Sequence, residues 1–369
     1  MKIKITILCL MLLSGIAFAE ETGVLPSWVT NLTMKGDLRL RQHTDWDSSL
    51  NYSRSRQRMR LRIGFDTKAS ENIKASFGLA TGSEKVSGTS VVDSDPTSTN
   101  HTFSNGFGKA IVMVDYAYME YSPYVWAKIT AGKMKSGTQV WQATDLKWDT
   151  DINPDGFAVA LNRSVNQFEL FLNGSWLIFN ELNSSQNNPD SYIVQPGANV
   201  KINDRYSIKA AVAFENLNVN GKNTGHYGTP AFDYICVNPS VELTVRSILN
   251  RYNLSVFTDM VNNTDSKPVG DKNAVAYGMK FGDEKILRCG DWQVNVLNKS
   301  VEANSWLNKL GDSDYFGGAA NMSGNILKLS CGLTQSTLFN AAYYLGDVIK
   351  GASSTTAKSL LILDIVYKY

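Results

Sequence analysis

Two sets of charged residues have the types and spacing to act together. Arg39 and Arg41 lie two apart, as do Arg56, Arg58, Arg60 and Arg62, while Asp145, Asp149, Asp151 and Asp155 crowd one later stretch. A guanidinium is permanently charged and presents a rigid fork of donors, so a row of them forms a fixed electropositive surface. Carboxylates facing such a row across water would set up a transverse field that sorts solutes by charge and size, without making or breaking bonds. A quieter reading pairs the arginines with nearby acids as rim salt bridges, since buried ion pairs are often merely tolerated. Either way the run "RSRQRMRLRIGF", Arg54 to Phe65, needs water or counter-charges beside it, because like charges in a row repel.

Other chemistry is less well supported. "DINPDG", Asp151 to Gly156, matches the first half of a calcium loop, but the position that should carry the bidentate Glu is Asn162. The histidines are His43, His101 and His226, with no hydrolase motif around them, and His43 reads as a solvated residue at the outer end of a strand. After the leader the cysteines are Cys236, Cys289 and Cys331, far apart and without metal-ligand spacing, so unpaired thiols are expected. No catalytic residue, metal or cofactor is called for, and an outer-membrane hydrolase is the weakest of the alternatives.

The elements that must position the two charged sets are strands. In the run at Arg54 the arginines alternate with Met59, Leu61, Ile63 and Phe65, a period of two that puts charge on one face and apolar groups on the other. The same segregation recurs in Tyr206–Phe214, in "YNLSV" from Tyr252 and in "WQVNV" from Trp292. Strands are expected over 32–43, 56–68, 72–82, 109–122, 125–134, 156–163, 166–180, 191–202, 206–217, 231–245, 250–262, 273–281, 290–301, 317–330, 335–346 and 358–369, about sixteen, most near the ~9–11 residues a tilted strand needs to cross a bilayer. Short turns such as Ala69–Asn72 and Pro123–Tyr124 alternate with long Gly-, Ser-, Asn- and Asp-rich links, the rhythm of an up-and-down barrel with one tight rim and one looped rim. No motif repeats at fixed period, which argues against a propeller or solenoid.

Compartment and charge point the same way. Residues 1–19 carry Lys2 and Lys4, an apolar run and Ala17-Phe18-Ala19, a secretory signal peptide that leaves 20–369 as the mature domain. Loss of Lys2 and Lys4 lowers the basic count from 36 to 34 against 34 acidic residues, and that balance argues against a nucleic-acid partner. No later apolar run reaches a helical span, so any crossing of a membrane is by strands. Aromatics gather near strand ends (Trp28, Trp126, Tyr206, Tyr252, Trp292, Tyr367, Tyr369), as in interfacial girdles.

The final strand, "SLLILDIVYKY", places Leu361, Leu363, Ile365, Tyr367 and Tyr369 on one face, and so resembles the closing strand of bacterial outer-membrane barrels. Over the whole mature length the chain is similar to the Putative porin family of diderm bacteria, through "KGDLRLRQ" followed by "RMRLRIGF", "AGKM" at Ala131–Met134 and "WDTDINPDGFAV" at Trp148–Val159. The stretch Gly82–Lys109 has no match. The resemblance implies an all-β transmembrane antiparallel barrel with an inward-folded third loop, in which Arg39, Arg41, Arg56, Arg58, Arg60 and Arg62 face Asp145, Asp149, Asp151 and Asp155 across a constriction. It implies passive diffusion of small hydrophilic solutes and ions through the bacterial outer membrane. The partners it implies are outer-membrane lipid and lipopolysaccharide, the barrel assembly machinery and a homotrimer. An adhesive or structural barrel is the alternative.

Overall fold

The computed structural model describes residues 31–48, 53–82, 84–87, 90–104, 106–183, 187–351 and 357–369; the leader and Trp28 lie outside them. Sixteen strands form the barrel: β1 (Thr33–Asp47), β2 (Ser53–Lys68), β3 (Ile73–Gly82), β4 (Ile111–Tyr124), β5 (Ala127–Lys133), β6 (Asp155–Val165), β7 (Phe168–Ile178), β8 (Asp190–Lys201), β9 (Tyr206–Asn218), β10 (Tyr234–Ile248), β11 (Tyr252–Asn263), β12 (Asn273–Gly282), β13 (Trp292–Val301), β14 (Met322–Gly332), β15 (Thr337–Val348) and β16 (Ala357–Lys368). Each pairs antiparallel with the next, and β16 pairs with β1, so no edge is left open. Among the described residues no helix is long and apolar enough to cross a membrane.

The sixteen expected segments and the sixteen strands correspond one to one, and the largest offset is β14, which begins at Met322. There the Gly- and Asp-rich stretch before Asn321 folds as loop. Beyond these strands, Gly82–Lys109 contributes a small hairpin (Glu84–Ser87 with Ser90–Ser94) and a two-residue bridge, His101–Thr102, that pairs with Met59 and Arg58.

Side-chain parity follows the pleat. On β1, Leu38 and Leu40 are exposed and Arg39, Arg41 and His43 buried; on β16, Ile365 and Tyr367 are exposed and Ile362, Asp364 and Val366 buried. In a closed barrel the buried face is the one turned to the axis, so the apolar alternate positions form the outer wall, the reverse of a soluble sheet. One β-bulge, at Asp115 opposite Gly78 and Leu79, turns both Asp115 and Tyr116 away from the outer face. Aromatic pairs mark both rims: Tyr124–Trp126 and Tyr252–Trp292, each 5.1 Å between centroids, at the tight rim, and Trp176–Tyr192, 6.4 Å, at the looped rim.

The barrel closes on Tyr369. Its main chain exchanges hydrogen bonds with Gly36 at 3.0 and 3.2 Å, and its hydroxyl reaches across β1 to donate to the Arg62 carbonyl at 3.0 Å. Position 36 has to be glycine for this, because a Cβ there would stand 2.2 Å from the Arg62 carbonyl oxygen and 2.7 Å from the Tyr369 ring.

The buried face is not uniformly polar. Toward the looped rim it carries Leu177, Ile193, Leu217, Phe257, Val261, Leu297, Ile326 and Tyr344, and onto these pack Val140, Leu146 and Trp148 from residues 134–154 with Trp306, Leu310 and Tyr315 from 302–321. The largest cluster of buried apolar side chains is thus supplied jointly by strands and long connections, leaving β1 and β2 as the charged side.

Candidate functional site

The charged side begins with strand register. β1 and β2 set Arg39 opposite Arg60, Arg41 opposite Arg58, His43 opposite Arg56 and Asp37 opposite Arg62. Two arginine-on-arginine pairs on one face repel unless acids are interposed, and acids are present within the same seam. Asp37 accepts from Arg60 Nε at 2.9 Å and Arg62 Nε at 2.8 Å. Asp364, opposite Arg41 on β16, takes Nε and Nη2 of Arg41 at 2.8 and 2.9 Å. Asp45 takes Arg56 at 2.7 Å and also meets His43 at 2.9 Å. His43 is therefore a buried, hydrogen-bonded member of the wall; the solvated position expected for it is corrected.

Three long connections meet this wall. From 302–321, Asp314 accepts from Arg41 Nη1 at 2.8 and 3.0 Å. From 83–110, Asn100 accepts from Arg39 at 2.6 Å and Ser98 from Arg58 at 3.3 Å. From 134–154, Asp151 stands 3.6 Å from Arg62. Local sequence explains how these connections hold their shape. The Asp149 carboxylate accepts from the Asp151 amide at 2.7 Å and the Asp312 carboxylate from the Asp314 amide at 3.0 Å, short Asx turns that repeat the same chemistry in both segments. Asp149 also accepts from the Ser313 amide at 2.6 Å, its own amide donates to the Leu310 carbonyl at 2.8 Å, and Trp306 donates to the Lys147 carbonyl at 2.7 Å, so the two segments are laced together. The far side is tied to strands: Gln195 on β8 exchanges bonds with the Trp141 backbone at 2.8 and 2.6 Å, Asp259 on β11 accepts from Thr144 Oγ1 at 2.6 Å, and Lys147 pairs with Glu215 on β9 at 2.5 Å.

Between wall and connections lies a cavity of about 330 Å³, bounded on one side by Arg39, Arg60, Arg62 and Asn100 and on the other by Asp145, Asp149, Asp151, Asp312, Asp314 and Lys328. It shares Arg62, Thr150 and Asp151 with a larger cavity of about 680 Å³ that runs toward the tight rim past Asp37, Lys35 and Lys368.

The acids in the connections do not share one charge state. Burial, with Asp312 and Asp151 close by, pushes the Asp149 carboxyl up to about 8. Burial and Asp145 push Asp312 up to about 7. Burial acts on Asp314 too, but Arg41 and then Arg39 outweigh it and hold that carboxyl down at about 2.

Of the residues singled out in the sequence, Arg39, Arg60, Arg62, Asp145, Asp149 and Asp151 line one cavity. Arg41 is clamped between Asp364 and Asp314, Arg56 sits with Asp45, Arg58 lies against Ser98, and Asp155 pairs with Lys133 at 3.3 Å. Asp145 stands 3.7 Å from Lys328. The expected pairing of the arginines with these aspartates is realised only at Arg62–Asp151. Asp151, Asn153 and Asp155 of the calcium-like motif diverge, toward Arg62, the Asp115 side chain at 2.8 Å and Lys133. Cys236, Cys289 and Cys331 are free thiols.

The carboxylates that pair with the arginine wall, Asp37, Asp45, Asp364 and Asp314, lie outside the set that the sequence singles out. Asp37 shares the parity of Arg39 and Arg41, and Asp364 is the lone carboxylate of an apolar final strand, so both carried a signal; Asn100 carried none.

The sequence matches the family described as "Putative porin" over residues 47–247 and 240–369. Among solved structures, two engineered variants of the Rhodopseudomonas blastica porin are similar at 9% identity, each over 92% of this chain and 100% of its own, with TM-scores of 0.50 and 0.48. At that identity the first of these likenesses, at a TM-score of 0.50, speaks to the fold alone. A comparison with curated proteins finds no match.

Proposed function

The chain belongs to the Putative porin family and forms a porin channel, and from that premise we propose that its narrowest part is the gap between the arginine wall of β1–β2 and the acidic connections 134–154 and 302–321. The observation that carries this reading is the 330 Å³ cavity, which has guanidinium groups on one side and carboxylates on the other. Fixed charges of opposite sign across a narrow wet gap orient and sort ions and small polar solutes while forming no bond with them, so the reading is a diffusion channel and not an enzyme. Residues 134–154, the third long connection, act here as the segment that narrows the lumen, jointly with 302–321. The single-connection constriction expected from sequence becomes a two-connection one.

The apolar outer wall and paired aromatic rims support residence in the bacterial outer membrane, reached through a signal peptide at 1–19. Contact with lipid and lipopolysaccharide, delivery by the barrel assembly machinery and association as a homotrimer belong to the same reading. Planar-bilayer recording of the refolded mature chain tests it: stepwise current increments are expected, and a barrel that inserts without conducting would instead favour an adhesive or structural role.

A further inference from the structure

The 680 Å³ cavity on the tight-rim side of the charged gap carries a surplus of cations. Its lining holds five basic residues, Lys35, Arg62, Lys135, Lys209 and Lys368, against three acidic ones, Asp37, Asp115 and Asp151. Two of the five are already held by carboxylates: Lys35 by Asp66, and Arg62 by Asp37 at 2.7 Å and Asp151 at 3.6 Å. Asp115 accepts from the Asn153 side-chain amide at 2.8 Å. Among the described residues no ion pair reaches Lys135, Lys209 or Lys368, which leaves three cations lining the space with Asp115 as the unpaired carboxylate beside them.

Two of these lysines rest on rings instead. The Lys209 ammonium lies 4.4 Å from the centre of the Trp141 ring and 5.3 Å from that of Phe171, and the Lys135 ammonium 5.3 Å from that of Tyr116. A ring face attracts a cation but does not neutralise it. It also occupies only one side of the ammonium, so donors remain for the cavity that both lysines line. Trp141 is fixed by its two backbone bonds with Gln195, and Tyr116 by the bulge at Asp115. Glu242 stands opposite Lys209 in register with no ion pair between them, and it lines a neighbouring cavity with Arg246 and Lys280, which likewise have none among the described residues. Arg41, Arg60 and Arg62 are met by carboxylates of the fold itself. Lys209, half-buried, and Lys135 lack such a partner, and a charge removed from water favours a counter-charge.

We propose that this cavity binds a small organic dianion, a dicarboxylate whose two ends are met by Lys135 and Lys209. The proposal rests on the channel reading, since the site lies inside the lumen. Lys135 belongs to the 134–154 connection and Lys209 rests on Trp141 of the same connection, so one segment places both cations on one cavity. Two separate ammonium groups suit a two-headed anion better than a compact one, and ammonium-to-carboxylate bonds are of the strong, charge-assisted kind.

The test uses the refolded full barrel with succinate as probe, acetate as the single-charge counterpart and succinamide as the neutral one. Saturable succinate binding by titration calorimetry is expected, weakening as salt is added, with weaker binding of acetate and none of succinamide. Lys135→Gln and Lys209→Gln should each lose roughly tenfold in succinate affinity, the scale of one charge-assisted contact. Because Lys135 is exposed, its replacement reports on charge and not on folding. Absence of saturable succinate binding, succinamide binding as tight as that of succinate, or parental affinity in either variant overturns the site. Conduction without succinate binding removes the site alone; succinate binding by a barrel that does not conduct removes the channel reading and leaves the site.

Discussion

Arg41 holds Asp364 with both its stem nitrogen Nε and a terminal nitrogen, at 2.8 and 2.9 Å, and gives its remaining nitrogen to Asp314 at 2.8 Å. One guanidinium therefore joins the β16–β1 closure seam to the connection that reaches across from β13 and β14. The bidentate fork is specific to arginine, and both carboxylates are needed because Arg39 and Arg58 crowd the same face.

Replacing Asp364 by Ala leaves Arg41 half paired and Arg39 without its nearest strand carboxylate, 3.9 Å away. Removing one member of a buried ion pair costs about 3–5 kcal/mol. Urea titration of the folded barrel, followed by heat-modifiable gel mobility, should show that loss at the seam, and an unfolding midpoint equal to that of the parent would count against it.

Asp314→Asn should act on the pore more than on the barrel, since it releases the 302–321 connection while Arg41 keeps Asp364. Expected are noisier, larger single-channel currents with near-parental urea resistance. Quiet currents of parental size would show that the Arg41–Asp314 link does not hold the connection in place.

Tyr369→Ala should lower outer-membrane abundance and leave the conductance of surviving barrels unchanged, because the ring and hydroxyl act at the seam, on Gly36 and the Arg62 carbonyl. Gly36→Ala attacks the same contact from the other side and should do the same. Parental abundance of both variants would make the contact incidental.

Acid should reinforce the laced connections. Asp149 and Asp312, raised to about 8 and 7 from an ordinary 3.8, bind protons in the folded state that the unfolded chain has already released. Their contribution to stability is complete below about pH 4 and is lost as pH climbs through about 7 to 8. Limited proteolysis of 134–154 and 302–321 should accordingly be slower at pH 5 than at pH 9. Cation preference should also fall as pH drops from 9 to 6, and Asp149→Asn with Asp312→Asn should flatten both effects; equal cleavage at the two pH values would contradict the proton assignment.

The barrel was legible because a period of two survives averaging: several strands, β2, β9, β11, β13 and β16 among them, announce an apolar face, and turns such as Ala69–Asn72 punctuate the chain. The arginine row and the aspartates of 134–154 were legible as charge. Their pairing was not, because it depends on cross-strand register, which sets Asp364 beside Arg41 across the closure seam, and on connections such as 302–321 whose course no periodicity encodes. The apolar side chains on the buried face, Leu217 or Leu297 among them, read as ordinary core and gave no hint that long connections would pack on them. The bulge at Asp115, which turns a carboxylate off the outer wall, likewise left no mark in the local pattern.

The most direct measurement is the reversal potential in a salt gradient across a planar bilayer at low ionic strength. Arg60→Gln with Arg62→Gln should move it toward cation selectivity and, at pH 9 where the Asp149 carboxyl is ionised, Asp149→Asn with Asp151→Asn should move it toward anion selectivity; both shifts should shrink as added salt cuts the Debye length below ~8–10 Å. A reversal potential that neither pair of substitutions moves would contradict a constriction formed between these two walls.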